Sequence, residues 1–344
     1  TSICEGESIT LDATSNIPAF SPTQTMHLVP NEYATIQLAI DAATNGDTIY
    51  VSNGTYLENI NYNNKDLYLL GENKEATIID GNQSGSVVTM NGNSVIDGFT
   101  IQNGSGTLSG SITYGAGIYC SGPGNINIVN CNIQNNIIPT SIYSRAAGIL
   151  STDNTNIFDC IIRNNSAADY VGGIYNGSVS NCKFYNNFPS GYQPTQASTI
   201  GFNNLFDGNF IGMYVPVSAV INNSIFINNN SSAIRFLNSL NSQVNNSIFY
   251  NNGSPVEFAN NGPQSYSEVL IQYCNLEGGQ SNALNNNTIF GQVIWGNNNI
   301  ELVPQFADSA NGDYTLVPGS PGVDAGNPDL NGNTITLRSN RVAQ

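Results

Sequence analysis

The stretch NNSIFINNN, Asn222–Asn230, returns 23 residues later as NNSIFYNN, Asn245–Asn252, and the reading of this phrase decides the fold. Its relatives form a ladder along the chain: FTIQN from Phe99, CNIQN from Cys131, CIIRN from Cys160, CKFYN from Cys182, NLFDG from Asn204 and CNLEG from Cys274. The copies recur every 20 to 32 residues, a basal period of about 22 with insertions, which is the signature of stacked repeats. Each unit alternates small, polar, apolar, polar and Asn, the period-two pattern of a short strand that runs into a turn. A second phrase precedes it in several units: GIY from Gly117, GIL from Gly148, GIY from Gly173, GMY from Gly212 and AIR from Ala233. Two strands per unit are visible, and the remaining residues leave room for a third. Short strands that return in register, with no helical pattern between them, predict an all-β chain wound as a right-handed parallel β-helix. A sandwich would not keep one offset from unit to unit.

The composition follows from that winding. Only 9% of the 344 residues are charged, against 40% hydrophobic, and there are 56 Asn and 34 Gly; ordinary domains carry about a quarter charged residues. Stacked coils place like residues on like at about 4.8 Å, so a repeated Lys or Asp would face its own charge. An amide carries both donor and acceptor and bonds up and down the stack. Asn also tolerates the left-handed backbone of a tight corner. Cys131, Cys160, Cys182 and Cys274, with Ser224 and Ser247 in the same ladder position, read as a small inward-pointing column of free thiols. Stacked residues point the same way rather than toward each other, no CxxC occurs, and His27 is the sole histidine. Cys120 is expected to be the exposed thiol, and Cys4 to be a partner left from a neighbouring segment.

The formal net charge of −16 with eight Lys and Arg argues against a nucleic-acid partner, whose phosphates need clustered basic side chains. No run of 18 apolar residues is present to span a membrane. Residues 33 to 45, YATIQLAIDAATN, place Ile36, Ile40 and Ala43 on one helical stripe, with Asn45-Gly46 as the expected C-cap. This helix is the natural plug for the N-terminal edge of the coil.

The stretches TIQLAIDAATNGDTIYVSNGTYLENI and KDLYLLGENKEATIIDG, together with VPQFADSANGDYTLVPGSPGVDAGNP near the other end, resemble the N-terminal cap, first coils and closing segment of the pectin lyase-like superfamily. The nearest resemblance is to its secreted right-handed β-helix repeat proteins of the Bacteroidetes type. It divides the chain into an extension or module remnant over 1–26, a capped β-helix over 27–328 and a tail over 329–344. It implies a secreted or cell-surface location and a polysaccharide or cell-surface glycan as partner, with other modules of a larger surface protein beside it. The superfamily hosts lyases, hydrolases, esterases and adhesins, so the fold does not choose among them.

In each GIY-type strand the middle residue points inward and the next points out, which predicts an outward column of Tyr119, Leu150, Tyr175, Tyr214 and Arg235, interrupted by a degenerate coil near Ala197. Aromatic faces and amides suit a sugar chain, since rings stack on apolar sugar faces while amides satisfy hydroxyls. Tyr119, Tyr175, Tyr214 and Arg235 are therefore the candidate ligand-binding residues. No evident catalytic site is written. The carboxylates of the coil region include Asp153, Asp159, Asp169, Asp207 and Glu257, and no two fall on equivalent positions of adjacent coils, as paired-carboxylate hydrolysis would favour. The triple-Asp signature of polygalacturonases and the DFIFG-type stretch of pectin methylesterases are both missing. A polysaccharide lyase is the enzymatic alternative, with Arg145, Asp169 and Arg235 as candidates for charge neutralisation and proton transfer, brought together by inserts at 104–114, 137–145 and 188–197. No cofactor is implied beyond Ca2+, for which Asp324, Asp329 and Asn331, with Asn333, form a turn-rich loop that lacks the closing Glu of an EF-hand. The leading expectation is an extracellular structural, adhesive or glycan-binding module. Lyase or glycoside hydrolase activity, and a self-assembling filament, are the alternatives.

Overall fold

A computed structural model of the protein describes residues 24–327, apart from 140–142, 196–197, 201, 261, 263–264 and 285–287. The proposed remnant before residue 24, the tail, Cys4, Ala197, Asp329, Asn331 and Asn333 lie outside the described residues. The chain winds as a right-handed parallel β-helix with three ladders. One sheet of seven strands runs from Met26–Val29 to Ser178–Ser180, and a five-stranded sheet from Ser198–Ile200 to Gly291–Trp295 carries the same side of the coil onward. A second side is a sheet of ten strands from Gly54–Leu57 to Asn275–Leu276, and the third a sheet of nine from Ile60–Asn61 to Val256–Phe258. The strand that the two visible phrases left unseen is the first one, for example Ile126–Val129 and Ala219–Asn222.

Register is exact in the ladder that carries the phrase. Ile101, Ile133, Ile162, Phe184, Phe206, Phe226, Phe249 and Leu276 occupy one column of the second sheet, and all eight are buried. Its four phenylalanines stack face to face, with centroids 4.6, 4.9 and 5.0 Å apart, each pair contributing roughly 0.5–1.5 kcal/mol beyond simple burial.

The doubled asparagines divide their labour. The first of each pair takes a left-handed backbone, φ 54° at Asn135, 55° at Asn164, 52° at Asn186, 54° at Asn228 and 54° at Asn251, and turns the corner. The second points inward and builds a buried ladder. Both Asn187 N and Asn187 Nδ2 donate to Asn209 Oδ1, at 2.9 and 3.0 Å, and Nδ2 also donates to Ile162 O at 2.9 Å. The same three bonds recur from Asn136 to Asn165, Asn165 to Asn187, Asn209 to Asn229 and Asn229 to Asn252. A polar column inside the core is tolerated because its donors and acceptors are paired.

At the opposite corner a left-handed residue, Asn130, Asp159, Asn181, Asn203, Asn223 or Asn246, precedes the small inward position held by Cys131, Cys160, Cys182, Asn204, Ser224 and Ser247. The thiols of Cys131, Cys160, Cys182 and Cys274 are free and buried, as the column reading expects. Cys120 is not exposed: it is 3% accessible, because alternation along Ile118–Cys120 turns Ile118 and Cys120 inward and Tyr119 outward. Burial pushes its thiol up to about 12.

The helix forms over Ile36–Ala42 (α1) and buries Ile36, Ala39 and Ile40 against the first coils. Thr35 Oγ1 accepts from Leu38 N, and the Glu58 carboxylate accepts from Ile36 N and Gln37 N. At the other end Lys65 Nζ donates to the carbonyls of Ile40, Asp41 and Ala43 at 2.8 Å each. Anion at the N-terminus and cation at the C-terminus match the helix dipole. The expected Asn45-Gly46 C-cap is replaced by Ala43 in extended backbone, since Asp47 captures Thr44 N and Thr44 Oγ1 and pulls the chain out of the helix. The same carboxylate receives Thr25 N and lies 3.2 Å from His27 Nε2.

The closing segment does not end the coil but lies along its side. Phe306–Asp308 and Asp313–Leu316 form an antiparallel pair that packs Tyr314, Phe306 and Leu316 on the outer face of the second sheet, over Leu205, Ile225, Ile227 and Ile248. Tyr314 OH donates to Asp207 Oδ2 at 2.7 Å. This is why the phrase reads IFI instead of alternating: in these coils the strand is covered on both faces.

Two outcomes test these assignments. Asn187→Leu, which strips the ladder bonds and orphans its buried neighbours, lowers unfolding free energy by about 3 kcal/mol in urea titrations, whereas Asn186→Gly, which keeps the left-handed corner, changes it by less than about 0.5 kcal/mol. Burial raises the Asp47 carboxyl, but bonds from Thr44 N, Thr25 N, His27 and Thr44 Oγ1 outweigh it and hold it at about 2, below its usual 3.8. Its contribution, about 2 kcal/mol, is fully present above pH about 4 and lost as pH falls through 2, so the stability difference between the protein and Asp47→Asn shrinks across that window.

Candidate functional site

The third sheet carries the candidate site because its strands are flanked by the longest inserts. Thr107–Ser109, Ile112–Tyr114 and Ser144–Arg145 make a small separate sheet beside it, and Ile137–Ile138 pairs with Ser166–Ala167. A minor core of Ala116, Ile138, Ala147 and Ala167 holds these inserts down. Sequence reasoning placed a third insert at 188–197; its residues Ser190–Gln193 instead form a strand of the third sheet, 196–197 lie outside the described residues, and the 164–173 connection supplies the wall. The strand was legible in principle: Gly191-Tyr192-Gln193 repeats the small, apolar, outward pattern of GIY with a buried Tyr in place of Ile, its hydroxyl donating to Gly177 O at 2.7 Å.

The glycines opening these strands are dictated by the stack. A Cβ on Gly173 would lie 1.9 Å from Gly191 O, one on Gly191 2.7 Å from Gly212 O, and one on Gly212 2.5 Å from Ala233 O. Backbones therefore close directly on one another, and the side chain two residues on projects outward. Tyr175 pairs with Gln193, Tyr214 with Arg235 and Arg235 with Glu257 in the ladder. Leu150 shares the column between Tyr119 and Tyr175 but is buried.

A groove of about 680 Å3 runs along this face, and Asp169, Tyr175, Tyr214 and Arg235 line it, with Tyr170 on its wall and Gln193 lining it while only 6% accessible. Four sequence-selected residues, Asp169, Tyr175, Tyr214 and Arg235, thus meet in one place. Gln193 was missed because its coil was read as degenerate. Arg145 is brought close, its guanidinium 5.8 Å from the centre of the Tyr175 ring, within cation–π range. Tyr119 is held apart, stacked on Tyr114 at 5.5 Å beside the small insert sheet. Arg235 Nη2 donates to Glu257 Oε2 at 2.8 Å and to Ser231 Oγ at 3.2 Å. Asp169 is exposed, and its backbone N–H donates to Ser144 Oγ at 3.0 Å. Burial raises the Tyr214 phenol above its usual range, with the Arg235 charge opposing the rise and Tyr170 adding to it.

Asp324, the described member of the proposed Ca2+ loop, has a left-handed backbone, φ 59°. No group of three or more His, Cys, Asp or Glu side chains with metal-holding geometry occurs among the described residues. No helix among them is long and apolar enough to cross a membrane.

No family model and no curated protein matches the sequence. Some solved structures are similar to it over most of their length. A pectin methylesterase from carrot is 13% identical, covering 92% of this chain and 89% of that one, with a TM-score of 0.37. The pectin methylesterase of Aspergillus niger is 15% identical, at 87% and 92% coverage and a TM-score of 0.33. Escherichia coli YbhC is 12% identical, at 88% coverage of both and a TM-score of 0.33. Likeness at this level carries no inference about activity.

The groove chemistry predicts one titration. Replacing Arg235 by Met removes the charge that favours the Tyr214 phenolate, so 13C NMR of labelled tyrosine finds the Tyr214 phenol titrating at still higher pH in Arg235→Met; an unmoved or lowered titration contradicts the packing. By its own three ladders the chain is a right-handed parallel β-helix.

Proposed function

We propose that this protein is an extracellular or cell-surface module that binds a polysaccharide along the groove of its third sheet. The single observation that carries the reading is the convergence of Tyr175, Gln193, Tyr214 and Arg235 on one outward column, with Tyr170 and Asp169 on the wall of the same groove. The column from Tyr175 to Glu257 spans four inter-strand steps, roughly 19 Å, the length of a short oligosaccharide. A parallel ladder holds these side chains at fixed spacing before any ligand arrives, which lowers the ordering cost of binding. Phenol faces supply stacking area, and the amide and guanidinium supply directional bonds to hydroxyls.

Lyase chemistry is the second reading, favoured by Asp169, an exposed residue that lines the same groove as Arg235. It needs a base near the sugar α-proton and a cation at the substrate carboxylate. Glu257, the next carboxylate in the column, is engaged by Arg235, which disfavours paired-carboxylate hydrolysis.

Titration of the purified protein against neutral and acidic polysaccharides, with product absorbance and reducing ends followed in parallel, separates these readings. Tyr175→Ala and Tyr214→Ala each weaken binding about tenfold, as loss of a stacking platform does, while Tyr119→Ala, outside the groove, leaves affinity unchanged. Equal weakening by all three sinks the groove assignment. Unsaturated product whose formation requires Asp169 would replace the binding module by a lyase.

A further inference from the structure

We propose that Glu257 sets the charge selectivity of the groove, neutralising Arg235 so that the site takes uncharged hexose or pentose polymers and rejects polyuronates. The inference rests on the glycan-binding reading above and adds the class of ligand. An unengaged arginine beside a row of tyrosines would be a natural receptor for a sugar carboxylate, because guanidinium and carboxylate pair in fork geometry. Here the charge is already met by a carboxylate through one N–H of the guanidinium, while Arg235 Nε is buried without a hydrogen-bond partner. Arg235 Nη2 donates to Glu257 Oε2 at 2.8 Å, and the ladder places the two on neighbouring strands in direct register. A uronate approaching Arg235 would have to displace Glu257 or lie against its charge.

One further cation and one further carboxylate lie nearby, without pairing to each other. Arg145 reaches over the Tyr175 ring, and Asp169, tied through its backbone N–H to the adjacent Ser144, sets a carboxylate on the same wall. Arg235 and Asp169 are the charged residues that line the groove, with Glu257 bonded to Arg235 and Arg145 beside Tyr175 just outside the lining, and the formal charges of the four cancel. The chain as a whole carries −16, a field that repels polyanions at low ionic strength. The other polar groups that line the groove are uncharged, among them the phenols of Tyr170 and Tyr214, the Tyr175 ring that Arg145 approaches, and the largely buried amide of Gln193.

The test compares the full chain with Glu257→Gln, which keeps shape and removes charge, and with the Glu257→Gln/Arg235→Met pair. Each is titrated with xylan, mannan and a soluble β-glucan and with polygalacturonate and alginate, at 50 and 500 mM salt. The unaltered protein is expected to bind at least one neutral polymer and to bind polyuronates at least tenfold more weakly. Glu257→Gln raises the polyuronate-to-neutral affinity ratio at least tenfold at 50 mM salt, and the gain disappears at 500 mM salt and in the double variant. A polyuronate bound by the unaltered protein as tightly as any neutral polymer overturns the proposal while leaving the groove in place. So does a folded Glu257→Gln whose ratio is unmoved, and Glu257→Ala repeats the measurement should Glu257→Gln fail to fold. Binding to no polymer by any form overturns the groove reading and this inference together.

Discussion

Everything in this molecule depends on the backbone hydrogen bonds that hold one coil on the next. They fix the distance between equivalent residues at about 4.8 Å, so each position must tolerate a copy of itself above and below. Aromatic rings do so by stacking, as Phe184, Phe206, Phe226 and Phe249 show. Amides do so by donating to one neighbour and accepting from the other, as in the buried column from Asn136 to Asn252. Charges do not, which explains a chain with 56 Asn and only 9% charged residues.

The same constraint generates the groove. Gly173, Gly191 and Gly212 bring successive backbones into contact, and Tyr175, Gln193, Tyr214, Arg235 and Glu257 then stand in one file. Where the file does contain charges, they alternate in sign, Arg235 against Glu257, which is the one way an ionised pair fits a stack of like positions. Inserts add the relief: a solenoid changes its surface by lengthening corners without disturbing its core, and the 164–173 connection raises Asp169 and Tyr170 above the sheet.

Outside the coil, two segments cover faces that the winding leaves apolar. At the N-terminal end, Glu58 and Lys65 from the early coils hold the two ends of α1, so the helix is positioned by the turns it packs on. Near the other end, the Phe306–Leu316 hairpin lies over Leu205, Ile225 and Ile248. The apolar outward residues of NNSIFINNN make sense only with that hairpin in place.

The two repeated phrases determined the winding, the inward column of Cys and Ser, and, through the GIY-type strand, the choice of Tyr175, Tyr214 and Arg235 as outward neighbours. These are consequences of period and alternation, which are properties of the chain alone. Tertiary structure decided what depends on how far side chains reach and what covers them. It buried Cys120 and Leu150, showed that Asn186 and Asn187 do different work, recruited Gln193 from a coil whose Tyr192 disguised the pattern, and moved Tyr119 out of the groove onto Tyr114. It also joined Arg235 to Glu257. A period gives the order of residues in a file, whereas burial and pairing depend on inserts and returning segments that obey no period.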